Sequence, residues 1–548
     1  MRDKLLQGSL WLAYLVALFS IGFYFRNALN TDAVAYLRIA HYYSTGHLDL
    51  AVSGYWGPLA SWIMAPFLKL GFPALLVARA FMAFSAILFV GGCLTLYRAL
   101  NLASSWTMAG TLLAALASIY WSVQFITPDL LLSGFVAFAA AWSIKADDER
   151  QPMVLFSSGL VWGLAYLTKA IAFPLTLGAM LGFHSLLQIS RHGGWRFRAL
   201  LWQGVGFAVL AAPWILVLSL KYQTLTFSTT PQISHTLAGP PDIDRYHPFA
   251  RSFQWPAPGR ITSWEEPSRM AYRHWSPFES TDYARHQLQV IRRNLGTSLA
   301  LLTSLNLAWL GLFFALPLHL MKNRDWKEVA LRFGCPLLIP ILLVALYLPC
   351  YITLTEQRFF YPAFPFLFAA LGLWGSWNKG SRQVGGVPAE RIWLWVTIPG
   401  GLIPLVASIL VVGTAPKIAG DCAADLAVRI RKSNSAGPIA GSANLPGGRT
   451  GLYVAFLLDQ PWYGDETHPD LEHLKAVAPR LVMALRGSLF AKQLQNDPDF
   501  ENMDQRLFGT AEAAQNSPIA VYEFRSTTSS GNNSNSVSTG RIGEKVRR

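Results

Sequence analysis

Residues 5–37 read LLQGSLWLAYLVALFSIGFYFRNALNTDAVAYL, and the two halves of that stretch do different things. The first half, residues 5–25, carries no charge and is as long as the roughly 20 residues a helix needs to cross a bilayer. It follows Met1-Arg2-Asp3-Lys4 and ends Phe23-Tyr24-Phe25-Arg26, with no small-x-small cleavage pattern. It therefore reads as a retained first span rather than a removed signal peptide. The second half places Asp32 just beyond the end of that span, at the head of a helix-like run.

The pattern of the first span repeats along the chain. Of the 548 residues, 52% are hydrophobic and only 14% charged, against roughly 25% charged in soluble domains. The 20 Trp and 33 Phe suit aromatic belts at a membrane surface. The net charge of +14 comes from basic residues set between apolar runs. They form no single basic domain, which argues against a nucleic-acid partner and reads as topology signals. Cys93, Cys335, Cys350 and Cys422 have neither metal-ligand spacing nor a disulfide framework.

Eleven spans are expected, at residues 5–25, 73–97, 106–122, 130–144, 153–168, 170–189, 200–220, 298–321, 333–352, 359–377 and 392–412. With the N-terminus inside, the inner segments hold fifteen Lys and Arg and the short outer loops hold five. That asymmetry follows the positive-inside rule. The expected topology has a cytoplasmic N-terminus, a plasma (inner) membrane location and an extracytoplasmic C-terminus. The outer side is then the elaborate one. Its first loop covers residues 26–72, where 32–43 has apolar residues at helical spacing and could lie along the interface. Its second loop covers 221–297 and holds Trp255, Trp264 and Trp275. A loop of that length is functional or disordered, and its aromatic content argues against disorder. Glu265, Glu266, His274 and His286 are candidate polar contacts in it, without metal-ligand spacing.

Beyond residue 412 the composition becomes that of a soluble chain. An amphipathic helix is expected over 417–432, and short apolar runs follow at 438–442, 481–486 and 519–524. The expected fold is a polytopic α-helical membrane protein with a small extracytoplasmic α/β domain. Residues 1–415 form the transmembrane part, 416–525 the soluble domain, and 526–548 a disordered tail rich in Ser and Asn.

No span carries an obvious ionisable residue at its centre. The polar groups gather at the outer ends instead: Asp32, Arg79, Asp129, Lys169, Glu356 and Arg358. A transporter would place such groups near the midplane. Each residue has a plain alternative. Asp32 and Asp129 both stand where a helix N-cap would fall, and Arg358 could be a snorkelling interface residue. The functional alternatives are a carboxylate that takes a proton or binds a metal, and a guanidinium that clamps phosphate.

Three short motifs in order resemble the branch of the GT-C glycosyltransferases that includes protein O-mannosyltransferases, lipid A aminoarabinose transferases and the galacturonosyltransferases of lipopolysaccharide core. They are Asp32 and Tyr36 with Gly57-Pro58-Leu59, Trp62, Gly71 and Ala78-Arg79; then Thr127-Pro128-Asp129-Leu130-Leu131; then Arg358 with Tyr361-Pro362-Ala363-Phe364-Pro365. The resemblance covers residues 5–375. It implies an inverting transfer of a hexosyl or pentosyl group from a polyprenyl-phosphate donor to a lipid, glycan or protein acceptor, among membrane lipids. It assigns Asp32 as catalytic, with Asp129 as a supporting carboxylate. It leaves open a divalent metal ion at Asp32 and Asp129. Arg358, Arg79 and Lys169 become candidates for the donor phosphate, and Tyr36, Trp56, Glu356 and Tyr361 for substrate contacts. Two departures are plain: Ala33 stands where many relatives have Glu, and Gly57 where many have Lys. An O-antigen ligase or polymerase is the rival enzyme reading, because the 221–297 loop is rich in Arg and His. A transporter and a non-catalytic scaffold are the rival readings without chemistry.

Overall fold

A computed structural model describes residues 2–146, 151–191, 197–243, 245, 247–323, 326–350, 356–377, 383–384, 387–442, 449–464 and 466–525. The 526–548 tail lies outside them.

The apolar first span forms α1 (Arg2–Tyr24). Helix α2 (Thr31–Thr45) follows and ends at Gly46, whose left-handed φ of 80° returns its N–H to the Tyr42 carbonyl. The same segment also holds α3 (Leu48–Ala51) and α4 (Pro58–Lys69), which starts on a proline. Next come α5 (Ala74–Ala99), α6 (Ser104–Gln124), α7 (Asp129–Lys145), α8 (Pro152–Thr168), α9 (Ala172–Arg191) and α10 (Phe197–Tyr222). After a short α11 (Thr230–Thr236) the chain forms α12 (Thr281–Leu305), α13 (Ala308–Asn323) and α14 (Trp326–Tyr347). A 3-10 turn (Gln357–Ala363) leads into α15 (Phe364–Trp377), followed by α16 (Ala389–Val412) and α17 (Ala415–Lys432).

Among the described residues, five helices are long and apolar enough to cross a membrane by length and composition, or six if one bent pair counts as a single span. Three shorter apolar helices accompany them. Large apolar side chains on α1, α10 and α16, among them Leu12, Phe23, Leu216 and Leu410, face outward. Such a surface marks a membrane or protein contact face. Helix α15 runs through the middle of the bundle, with Phe366, Phe368 and Leu371 fully buried.

Two expectations are corrected. The chain over 298–321 is not one straight helix: α12 and α13 meet at a 116° bend. Asn306 makes the break. Its Oδ1 accepts from Ala308 N at 2.9 Å, its Nδ2 donates to Thr397 O at 3.1 Å, and Leu307 N donates to Gly400 O at 2.8 Å. These bonds cap α13 and stitch the corner to α16. The 221–297 segment is also not loop throughout, because α12 begins at Thr281, where the Ser280 hydroxyl accepts from Tyr283 N.

The ionisable side chain of His184 lies inside the bundle. His184 Nε2 pairs with Gln203 Oε1 at 2.9 Å, and Gln203 Nε2 donates to Ser143 and Ser158 at 2.6 and 2.8 Å. This knot ties α7, α8, α9 and α10 together through side-chain hydrogen bonds.

A two-stranded ribbon pairs β1 (Gln383–Val384) with β2 (Val387–Pro388). The C-terminal part carries β3 (Ile439–Gly441), β4 (Leu481–Leu485), β5 (Phe500–Asn502) and β6 (Ile519–Phe524), in the order β3-β4-β6-β5. Strand β3 is parallel to β4, and the other pairs are antiparallel. Phe253 of the 221–297 segment packs into the core of this sheet. Backbone bonds from Gln254 N to Tyr463 O and from Trp462 N to Ile261 O join the two segments.

Candidate active site

The connector between α1 and α2 is clamped from three sides. Arg79 on α5 donates to the carbonyls of Ala28 and Ser122. Asn30 Oδ1 accepts from Ile126 N at 2.8 Å, on the α6–α7 link. Asn27 Nδ2 donates to Asp421 on α17 at 2.8 Å. Beside that bond, a Cβ at Gly420 would lie 1.9 Å from Asn27 O, so only glycine permits this approach. The clamp fixes where α2 starts. The N-cap position is Asn30, and no side-chain cap bond is made. The Asp32 carboxylate, one residue into the helix, is therefore not spent on capping.

It faces Arg358 instead. Arg358 Nη1 donates to Asp32 Oδ2 at 2.7 Å and lies 3.8 Å from Asp129 Oδ2. Arg358 Nε donates to Glu356. Asp129, the first residue of α7, makes no cap bond; its Oδ1 accepts from Lys169 Nζ at 2.5 Å. Lys169 and Arg358 both lie over the Phe359 ring, at 4.8 and 5.3 Å, a favourable placement for a cation. Arg358 is thus held in an ion-pair cluster rather than snorkelling. Asp32, Asp129, Lys169, Glu356 and Arg358, scattered in sequence, form one group. The Asp32 side chain is 13% exposed and that of Asp129 only 3%, so Asp32 is the more accessible of the two carboxylates.

Arg358 uses Nε and Nη1 for carboxylates. Among the described residues its Nη2 has no protein partner, which leaves a donor for a ligand. Burial alone would raise the Asp32 pKa. The Arg358 charge and hydrogen bond outweigh it, helped by Lys169 and Trp264, and hold the carboxyl below its usual range.

Trp264 is the site residue that sequence reasoning missed in this role. Its indole N–H donates to Asp32 Oδ1 at 3.3 Å. It is held by a short capped turn, Ser263–Glu265, in which Thr262 Oγ1 accepts from Trp264 N. Trp56 Nε1 donates to the Trp264 carbonyl at 3.0 Å, and Trp56 packs edge-on against Tyr36 at 5.0 Å. Trp56 and Tyr36 are thereby placed as the packing behind Trp264 and Asp32. Glu265 accepts from Ile261 N and from the Tyr42 hydroxyl. Glu266 accepts from Lys221, Tyr222 and Ser53. Both are buried anchors of the 221–297 segment. His274 is bonded to Thr236, and His286 to the Ala238 carbonyl. None of these four faces the Asp32 cluster through a direct bond.

Arg79 stands apart from the cluster, its Nη atoms taken by backbone carbonyls. It lines a cavity of about 1010 Å³ between α1 and α5, walled by Leu18, Phe23, Leu75 and Ala83, with Arg26 also on its lining. Tyr361 is buried and stacks on Trp121 at 3.8 Å, with its hydroxyl 3.4 Å from Gln124 Oε1.

Asp32 and Asp129 do not fit a metal ion as they stand. The Arg358 guanidinium lies against Oδ2 of both. Among the described residues no three His, Cys, Asp or Glu side chains gather as a metal site.

The glycine at 57 has a structural cause. A Cβ there would lie 2.2 Å from the Thr168 carbonyl oxygen, at the end of α8. The next residue is Lys169, whose ammonium reaches Asp129. The turn that excludes a side chain at 57 thus sits beside a cation from another helix.

Among solved structures the chain is similar to ArnT from Cupriavidus metallidurans, whose crystal structure holds undecaprenyl phosphate. The TM-score is 0.51 at 15% identity, covering 94% of this chain and 98% of that one. It is also similar to the apo oligosaccharyltransferase of Archaeoglobus fulgidus, at a TM-score of 0.44, 12% identity and 92% and 72% coverage. The mycobacterial arabinofuranosyltransferase AftD gives 0.40, 12% identity and 94% and 40% coverage. No family model matches the chain, and no curated protein matches it. The fold rests on the first likeness and is that of the ArnT chain. The apolar helices and this fold make the chain a multi-pass membrane protein.

Proposed function

We propose that the chain is a membrane glycosyltransferase that moves a sugar from a polyprenyl-phosphate donor to a lipid, glycan or protein hydroxyl at the outer face of the plasma membrane. The observation that carries this reading is the pairing of Asp32 with Arg358, with one guanidinium nitrogen left over. Asp32, held ionised, accepts the proton of the attacking hydroxyl. Arg358 Nη2, with Lys169 close by, meets the charge that grows on the departing lipid phosphate. Asp129 holds both cations in place. Oriented donors of this kind cost nothing to rearrange during the reaction. The apolar cavity between α1 and α5 suits a polyprenyl tail, and a lipid tail would enter it from the side. In this reading the N-terminus is cytoplasmic, and residues 416–525 form an extracytoplasmic unit that shields the site together with 221–297.

The test is a donor assay with purified full-length protein in detergent. A monosaccharide on undecaprenyl monophosphate should lose its sugar to an acceptor fraction from the source membranes. Use of an oligosaccharide on a diphosphate lipid instead would point to a ligase or polymerase. Movement of donor across vesicles without any transfer would point to a transporter.

A further inference from the structure

Trp264 reaches Asp32 from a turn that a buried carboxylate holds in shape. Glu265 Oε1 accepts from Ile261 N at 2.8 Å and from Thr262 N at 3.1 Å. The Thr262 hydroxyl in turn accepts from Trp264 N, which completes a capping box over residues 262–265. The Trp264 ring packs edge-on against His247 at 4.6 Å and against Trp56 at 5.4 Å. The backbone of this turn therefore decides where the indole N–H points.

The second oxygen of Glu265 ties the turn to the helix that carries Asp32. Oε2 lies 2.7 Å from the Tyr42 hydroxyl, which also stands 2.9 Å from the Gly259 carbonyl. Whichever of the two takes the phenol proton, the acceptor belongs to the 259–265 stretch, so the bond links that stretch to α2 in either case. Helix α2 thus meets the Trp264 turn at two points: Asp32 takes the indole N–H at 3.3 Å, and Tyr42 holds Glu265 about 15 Å further along the axis. Arg260 stands 3.6 Å from Glu265 and 3.7 Å from Glu266, and its Nη2 donates to the Leu50 carbonyl at 3.1 Å. Glu265 is fully buried, so it acts on its neighbours and not on a substrate.

We propose that Glu265 is a positioning residue for the transfer step: tied to α2 through Tyr42, it fixes the Trp264 turn and so holds the indole N–H on Asp32. Orientation of a reacting group by its neighbours is worth rate only while that geometry is kept. Glu265 exchanges no proton in the reaction. The inference rests on the glycosyltransferase reading and adds to it a route of control from a carboxylate that does not touch the Asp32 cluster.

The test is a double-mutant cycle on the full chain in detergent, run well below the lowest melting temperature of the set. Undecaprenyl-phosphate hexose is the donor and a glycolipid extract of the source membranes the acceptor. Glu265→Ala should slow single-turnover transfer about 10-fold, the size of one lost hydrogen bond, with half-saturation by donor unchanged. Added to Trp264→Phe, it should slow transfer by no more than about a further threefold, because two changes on one line of action do not add. Glu265→Gln keeps an oxygen for the two backbone N–H groups and leaves Arg260 its contact with Glu266, so it should recover transfer to within about threefold of wild type. If Glu265→Ala does not fold, Tyr42→Phe takes its place in the same cycle, with the same failure to add to Trp264→Phe expected. Wild-type transfer in Glu265→Ala, or losses that multiply in the double variant, would overturn the proposal and leave the glycosyltransferase reading intact. If the wild-type protein transfers nothing, the reading itself fails and the proposal with it.

Discussion

Arg358 donates to Asp32 at 2.7 Å across a separation of 326 residues. The bond joins α2 to the turn before α15, and it holds side chains far apart in sequence in one cluster. Asp129 and Lys169 form the second half of that cluster at 2.5 Å.

The pair carries stability as well as the proposed chemistry. Removing the guanidinium in Arg358→Ala leaves two carboxylates in low dielectric without their shared cation, and breaking a buried pair costs about 3–5 kcal/mol. The variant should unfold at a clearly lower temperature in detergent. Arg358→Lys should keep most of the stability but weaken donor binding, because an ammonium cannot serve carboxylate and phosphate through separate nitrogens. Thermal unfolding with and without undecaprenyl phosphate measures both effects.

Trp264→Phe removes the indole N–H from Asp32 and keeps most of the ring packing against Trp56 and His247. A hydrogen bond to a charged group contributes about 1.5–3 kcal/mol. Turnover should fall roughly 10- to 150-fold by the same energies, with little change in the melting temperature. A melting temperature that drops as far as the rate would assign Trp264 to packing alone.

Gly57→Ala places a methyl group 2.2 Å from the Thr168 carbonyl. Backbone must move, at a cost of about 1–3 kcal/mol for overpacking. Because Lys169 follows Thr168, the shift should also pull its ammonium from Asp129. The expected result is a lower melting temperature together with lost transfer. Gly57→Lys should be at least as damaging and should not strengthen donor binding.

The Asp32–Arg358 pair also sets a pH dependence. The Asp32 pKa is depressed in the fold, so its contribution to stability is fully present above the ordinary carboxylate value of about 3.9. That contribution falls as pH drops through the folded pKa. Acid titration of unfolding should show this loss only below about pH 4, and Asp32→Asn should remove it.

Much of this was readable from sequence because it depends on local order. The apolar runs mark the helices of the bundle, and the runs at 438–442, 481–486 and 519–524 coincide with β3, β4 and β6. Asp32, Asp129 and Arg358 were found because each follows or precedes a span at the same side. What escaped depends on partners distant in sequence. The break at Asn306 lies inside an apolar run and is made by Thr397 and Gly400 of another helix. The bond from Trp264 to Asp32 spans 232 residues of sequence, and nothing near Trp264 announces it. The start of α12 was readable, since Ser280-Thr281-Asp282 is a sound helix opening.

The central claim is that Asp32 takes the acceptor proton. The direct measurement is single-turnover transfer by Asp32→Asn, from undecaprenyl-phosphate hexose to the source glycolipid fraction. General-base catalysis contributes about 10²–10⁴-fold, so the rate should fall by at least about 100-fold while the protein still unfolds cooperatively and binds undecaprenyl phosphate. A rate within about threefold of wild type would contradict the account, since no general base of that effect would then have been removed.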